Sequence, residues 1–429
     1  MSPWRTDGGA LHSRAAALAV LLCAAVSAGP ARLAAEPPVV AQSGFSAEGL
    51  RRVGDYLENE VQTGKIPGAI ILIQQHGKPA YYKKLGIRDV ATKLPMTDDT
   101  IFRLYSMSKP VTSVAAMMLV DDGKLALDDP LSKYIPDFAD VRVGVEKPGE
   151  NGKLVMAPLK RPITIEDLLR HTSGITYGIY GDSPVRKLYA ASNIFEGDFD
   201  NAQFVQRLAK LPLAEQPGTQ WDYGHSTDVL GRLIEVVSGK SLYQFEKERL
   251  FDPLGMHDTT YYLKDPAEAP LLAEPLPDDR FKSPIAGIHE AVRPLRWQSG
   301  GAGLIGTIGD YARFAEMLLE CGTLDGRRYL KAQTVALMTS DHIGPKTKIA
   351  RDQYYFPGDD SGFGLGFAVR TIDNPPLAVG EYRWDGVGGT FFFIDPKDDM
   401  FTIVMMESPS QRGRIQTEIK TLIYQALTR

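Results

Sequence analysis

Behind Ser46, the residues Leu50, Val53, Leu57 and Val61 recur every three to four positions. They form one face of a helix with Ser46 as its N-cap, and Pro67-Gly68 stops the pattern. The spacing then changes. Ala69 to Gln75 is an apolar, isoleucine-rich run, His76-Gly77-Lys78-Pro79 is turn-forming, and Ala80 to Leu85 continues extended, which predicts a β-hairpin. Val111 to Asp122, rich in Ala and Met, returns to helix and closes on Gly123. From Leu125 to about residue 289, short helical pieces alternate with Pro and Gly loops. Thr164-Ile165-Glu166-Asp167 reads there as a capping box, with Glu166 part of it, and Thr227 to Val237 as a helix ended by Gly239. After Gly300 a helix around Tyr311 to Leu319 precedes four strand candidates: Phe363 to Arg370, Ala378 to Arg383, Thr390 to Ile394 and Phe401 to Glu407. Ile415, Ile419, Leu422, Ile423 and Ala426 then line one side of a final helix.

Strands at both ends with helices between them predict an α+β fold. One antiparallel β-sheet is flanked by helices, a mainly helical lobe is inserted, and a cleft lies between the two. The expected division is 45–125 with 290–429 for the sheet lobe, 126–289 for the helical lobe, and 29–44, rich in Pro and Ala, for a linker. Residues 1–28 carry Arg5 and Arg14 ahead of the apolar run Ala15 to Ala28. That run is short for a membrane span and ends in the small residues Val26-Ser27-Ala28, the pattern of a signal peptide for export to a periplasm or beyond. Cleavage after Ala28 removes Arg5, Asp7, Arg14 and Cys23, moving the formal charge from −5 to −6 and leaving Cys321 as the only thiol. No membrane span is expected after that cleavage.

Composition narrows the function classes. A chain of 429 residues, 43% hydrophobic and 24% charged, is neither disordered nor fibrous. Its 48 basic against 53 acidic residues exclude nucleic acid as the main partner. The seven histidines show neither H-E-x-x-H nor H-x-H spacing, so neither metal nor cofactor is expected.

Ser106-Met107-Ser108-Lys109 fits S-x-x-K, a pattern met about once by chance in a chain of this composition, so its setting matters more than the match. It follows an extended stretch and opens the apolar helix, where i and i+3 share a face and the Lys109 amine can reach the Ser106 hydroxyl. A serine hydroxyl is a weak nucleophile until a neighbour takes its proton, and a desolvated lysine can do so near neutral pH. Helix N-terminal N–H groups offer support to a developing oxyanion.

At this point the sequence resembles the serine β-lactamase and penicillin-binding-protein superfamily, and most closely its family VIII carboxylesterases, which look like class C β-lactamases. The shared blocks run from Ile66-Pro67-Gly68 through Phe102 to Pro110, Leu127 to Pro130, Leu168 to Gly174, Pro253 to Met256 and Gly300 to Leu304. The resemblance implies an acylated nucleophile at Ser106, its proton acceptor at Lys109, and a phenol at Tyr223, in Tyr223-Gly224-His225, that exchanges protons with both. It implies a third motif at Trp384-Asp385-Gly386, and an oxyanion hole from the backbone N–H groups of Ser106 and Val387.

Two departures separate this chain from lactamases. His225 replaces an asparagine that meets the antibiotic's acyl side chain. Asp385 stands where no Lys or His is left to hold a substrate carboxylate, and an acid there repels one. The implied activity is a carboxylesterase acting on short-to-medium acyl esters, the alternative being a class C-like β-lactamase or D-alanyl-D-alanine peptidase. The partner is a small-molecule ester or β-lactam, and the chain a monomer or weak homo-oligomer. Trp384, Asp385, Gly386, His225 and Tyr177 are the substrate-binding candidates. Trp384 reads equally as pocket wall or core aromatic, and His225 reads also as a structural histidine. Tyr177, Tyr180, Tyr189 and Phe195 form an aromatic loop that either lines the entrance or simply packs. His171 reads as a helix C-terminal residue rather than a catalyst.

Overall fold

A computed structural model describes residues 44–147, 153–280, 290–344, 347–375 and 377–428. The expected signal segment, with Cys23, and nearly all of the expected linker lie outside the described residues.

The first helix, α1 (Ala47–Gln62), is capped by Ser46, whose hydroxyl accepts from the Gly49 N–H, and it buries Leu50, Val53 and Leu57. The hairpin follows as β1 (Gly68–Gln75) and β2 (Lys78–Asp89), with β3 (Leu94–Pro95) beyond. The turn is only His76-Gly77, because strand pairing resumes at Lys78. Near the other end of the chain stand β4 (Ser361–Phe363), β5 (Ala368–Arg370), β6 (Tyr382–Asp385), β7 (Phe391–Asp395) and β8 (Met400–Met405). Together they form one eight-stranded sheet, ordered β4-β5-β6-β7-β8-β1-β2-β3, in which every neighbouring pair is antiparallel.

Alternation along the strands divides the core in two. Ile70 and Leu72 of β1, Phe392 and Ile394 of β7, and Phe401 and Ile403 of β8 join the larger cluster. Their neighbours Ile71, Ile73, Phe391, Phe393 and Val404 join a second cluster with α1 and the last helix, α5 (Arg412–Ala426). Both faces of these strands are covered, which is why they read as continuous apolar runs instead of alternating ones.

The larger cluster holds α2 (Ser108–Asp121), α3 (Ser226–Ser238) and α4 (Ile308–Leu319). Two sequence expectations change here. The stretch Phe363 to Arg370 is two strands, because Gly366 takes φ +100° and backs onto Ser113, where a Cβ would lie 2.4 Å from the hydroxyl oxygen. The strand expected over Ala378 to Arg383 begins only at Tyr382, after Gly380 at φ +98°. Between α2 and α4 the chain is mostly short helices, but it also holds an antiparallel pair, Val143–Glu146 with Leu154–Ala157. The capping box at Thr164 is closed by Asp167; Glu166 instead faces Arg170 and His342. Among the described residues no helix is long and apolar enough to cross a membrane.

Candidate active site

Ser106 lies in a tight turn, Tyr105–Met107, that feeds directly into α2. The turn is held in an unusual shape: Tyr105 sits at φ +46°, in the left-handed region that costs a residue with a Cβ of order 1–3 kcal/mol. Its surroundings enforce that shape. The Leu104 N–H donates to the Leu304 carbonyl, and Gly386, just past the end of β6, packs against the Leu104 carbonyl from the other side. Gly386 is needed for that closure, since a Cβ there would lie 2.5 Å from the Leu104 carbonyl oxygen and 2.4 Å from the Thr390 hydroxyl oxygen. The expected substrate-binding Gly386 is therefore first a site of close backbone approach.

Lys109 is 1% exposed. Its Nζ lies 3.1 Å from Ser106 Oγ, 3.2 Å from Tyr177 Oη and 2.7 Å from the Gly301 carbonyl oxygen. Tyr223 donates to Ser106 Oγ at 2.8 Å, and the Lys109 amine stands 4.7 Å from the centre of its ring. Burial pulls the Lys109 pKa down to about 8, with Asp228 and Asp385 opposing. Burial pushes the phenols of Tyr223 and Tyr177 well above 10, so both stay protonated.

This arrangement counts out cleanly. A charged Lys109 has three N–H donors and three oxygen neighbours to receive them. A neutral Lys109 has two donors and one lone pair. The Gly301 carbonyl can only accept, so one N–H is committed to it, and the lone pair remains available to the Ser106 O–H.

Gly301 is itself held in place. Its N–H donates to Asp228 Oδ1 at 3.1 Å, and the same oxygen accepts from Ser299 Oγ at 2.5 Å. The other Asp228 oxygen meets His225 Nδ1 at 2.9 Å. Thr112 Oγ1 donates to the Gly300 carbonyl and the Leu304 N–H to Ser108 Oγ, so the Ser299–Leu304 loop is tied to α2 as well.

Around the phenols lies an aromatic wall. Tyr355 packs 5.1 Å from Tyr223 and 5.0 Å from Tyr180, and Tyr177 stands 5.3 Å from Tyr223 and 4.3 Å from His225, centre to centre. Trp384 is 2% exposed and 5.4 Å from the Tyr223 ring, a buried buttress for that phenol. Phe195 packs on Phe204, Trp297 and His225, while Tyr189 is buried. His171 stands just past the capped end of its helix at φ +57°, buried against Tyr223, Trp221 and Phe363.

Asp385 does not stand as the bare anion that the sequence suggests. Arg412, the first residue of α5, reaches its Oδ2 at 3.2 Å, so the repulsion of a substrate carboxylate expected from Asp385 is largely cancelled. Sequence reasoning missed Arg412, for which no local signal exists. It also missed Tyr355, within Tyr354-Tyr355-Phe356, and Asp228. Asp228 was within reach, because His225 and a carboxylate three residues later share a helical face.

Residues 53–424 match the beta-lactamase family model. Lovastatin esterase from Penicillium rubens is 31% identical over 364 residues, covering 79% of this chain and 88% of that protein. Esterase EstB from Burkholderia gladioli is 27% identical over 371 residues, covering 80% and 86%. Among solved structures, EstCE1, described as a hydrolase with promiscuous acyltransferase activity, superposes with a TM-score of 0.73 at 28% identity over 88% of this chain and 99% of its own. With esterases among its relatives and a β-lactamase-like sheet and helices, the chain belongs to the beta-lactamase family, as a hydrolytic enzyme of the serine β-lactamase and penicillin-binding-protein superfamily.

Proposed function

We propose that the protein is a serine carboxylesterase that cleaves short-to-medium acyl esters through an acyl-enzyme on Ser106. Neutral Lys109 takes the Ser106 proton as Oγ attacks the ester carbonyl carbon, and the carbonyl π electrons move onto oxygen. The N–H groups of Ser106 and Val387 receive that oxyanion, and neither has a backbone acceptor among the described residues. On collapse, Tyr223 gives its phenolic proton to the departing alkoxide and recovers one from the Lys109 ammonium, which lies 4.7 Å from its ring centre. Water then repeats the sequence in reverse, releasing the acid and restoring Ser106.

The observation that carries this reading is the setting of Lys109: buried, pulled down in pKa, and bonded to a carbonyl, a phenol and the nucleophile, with no carboxylate in hydrogen-bond reach among the described residues. The test is hydrolysis of p-nitrophenyl butanoate together with labelling by a fluorophosphonate probe. Both are expected in the wild type and lost in Ser106→Ala, and a Ser106→Ala enzyme at the wild-type rate would falsify the assignment.

Arg412 favours a second reading, a class C-like β-lactamase or D-alanyl-D-alanine peptidase, because it sets a cation beside Asp385 where those substrates carry a carboxylate. Turnover of a chromogenic cephalosporin beside the butanoate ester decides: an esterase favours the ester by orders of magnitude. Export on residues 1–28 belongs to the same proposal. It is supported by Arg5, Arg14 and the run to Ala28, and N-terminal sequencing of the secreted protein checks it.

A further inference from the structure

Beside the catalytic groups, a cavity of about 360 Å³ opens between the Tyr177–Ile179 and Tyr189–Glu196 segments. Ile179, Ile194 and Phe195 are among its walls, and Tyr177 and His225 line it where it approaches Lys109. The remaining polar lining, Ser192, Asn193 and Glu196, is exposed or half-exposed, so its buried polar groups are the Tyr177 and Tyr189 hydroxyls and the His225 imidazole.

The tautomer of His225 follows from its neighbour. Asp228 receives three donors, from Ser299, Gly301 and His225. Burial raises the Asp228 carboxyl, but His225 and its other hydrogen bonds outweigh that and keep it ionised. An ionised carboxylate only accepts, so the proton of His225 sits on Nδ1. Burial keeps the imidazole neutral. Nε2 therefore carries a lone pair and no proton, and among the described residues the hydrogen bond of this imidazole is made at Nδ1 alone. An asparagine at this position would offer both a donor and an acceptor; this histidine, locked by its carboxylate, offers an acceptor alone.

Building on the esterase reading above, we propose that this cavity receives an apolar ester portion bearing a hydroxyl group, which donates its hydrogen to His225 Nε2. The preferred substrate is thus a hydroxylated ester, and an ether oxygen at the same place, able only to accept, is rejected because it faces a second lone pair. The hydroxyl can belong to the acyl or to the alcohol side. The same chemistry serves both, and substrate pairs separate them.

The acyl pair is p-nitrophenyl 3-hydroxybutanoate against p-nitrophenyl 3-methoxybutanoate. The alcohol pair is 3-hydroxybutyl acetate against 3-methoxybutyl acetate. In one pair the wild type is expected to favour the hydroxyl ester in kcat/KM by about tenfold. In His225→Phe the ratio falls to near one. In Asp228→Asn an amide N–H faces Nδ1, the imidazole proton moves to Nε2, and the methoxy ester gains on the hydroxyl ester. Ratios within one enzyme are unaffected by any general loss of activity, and Asp228→Asn decides alone should His225→Phe not fold. A wild type that ignores the hydroxyl in both pairs overturns the proposal, as does a preference that survives both variants. If that wild type still turns over p-nitrophenyl acetate through Ser106, the esterase reading stands and only this inference fails.

Discussion

Lys109 and Lys420 are both nearly buried, at 1% and 8% exposure, yet their surroundings differ in one chemical respect. Lys420, on α5, bonds directly to the buried carboxylate of Glu381, which also faces Arg383 at 3.2 Å and Arg370 at 3.7 Å. Burial lowers the Lys420 ammonium and Glu381 opposes it, while the ring of cations holds Glu381 ionised against its own burial. Among the described residues Lys109 bonds only to uncharged oxygens. A buried amine bonded to a carboxylate is a strut, because its bonds are spent on an ion pair and no reacting hydroxyl stands beside it. A buried amine whose nearest carboxylates stand one residue further out is a base, because the neutral form leaves nothing uncompensated.

The largest expected effect tests that contrast from the catalytic side. Lys109→Ala should lower kcat/KM on a butanoate ester by roughly 10³-fold or more. Its melting temperature should stay level or rise, since the deleted ammonium sat in a dry site with no carboxylate bonded to it among the described residues. Lys420→Met should do the reverse, removing about 3 kcal/mol of folding stability by unbalancing a buried ion cluster while leaving kcat/KM within about twofold. Activity lost in Lys420→Met at unchanged melting temperature, or a Lys109→Ala that merely unfolds, breaks the contrast.

The same contrast shows how much of the molecule was legible beforehand. Ser106, Lys109 and Tyr223 come from the resemblance, each in a short motif beside the start of a helix, and the fold brings the three side chains together. Helix ends at Ser46, Thr164 and Gly239 were legible for the same reason: a cap is written in four or five residues. What escaped notice depends on the chain returning from far away. Arg412 reaches Asp385 only because α5 begins where β8 ends, and the Gly301 carbonyl reaches Lys109 across 192 residues of sequence. The strand ends at Gly366 and Gly380 were misplaced because alternation alone does not show that a glycine must take positive φ to clear Ser113 or to turn the chain. The charge of Asp385 was read correctly as chemistry and wrongly as electrostatics, since its partner lay 27 residues on.

A smaller effect sharpens the role of the Lys109 neighbours. Tyr177→Phe removes one of three oxygens around the amine while keeping the ring that packs on Tyr223 and His225. The expected loss in kcat/KM is about tenfold, the worth of one hydrogen bond to a group that changes charge, with little change in melting temperature. Tyr223→Phe should cost far more, because that phenol also delivers a proton to the leaving group. Equal losses in the two variants would mean that Tyr177, not Tyr223 alone, carries protons.

The finest test is the pH profile. Lys109 must be neutral to accept the Ser106 proton, so kcat/KM should climb with pH and level off above about 8. The groups facing the amine are the carboxylates Asp228 and Asp385, the imidazoles of His171 and His225, and the phenols of Tyr177 and Tyr223. Burial keeps both imidazoles and both phenols uncharged near neutral pH, so the two carboxylates are the anions that support the ammonium. Asp385 is already engaged by Arg412, which leaves Asp228 as the stronger lever. Asp228→Asn keeps an acceptor for Gly301 and Ser299 but removes the negative charge, so the ammonium becomes easier to deprotonate. The rising limb should then move to lower pH, by up to about one unit. A positional role alone would scale the whole profile down without moving it. A limb that stays in place would reduce Asp228 to a clamp on the Gly301 carbonyl.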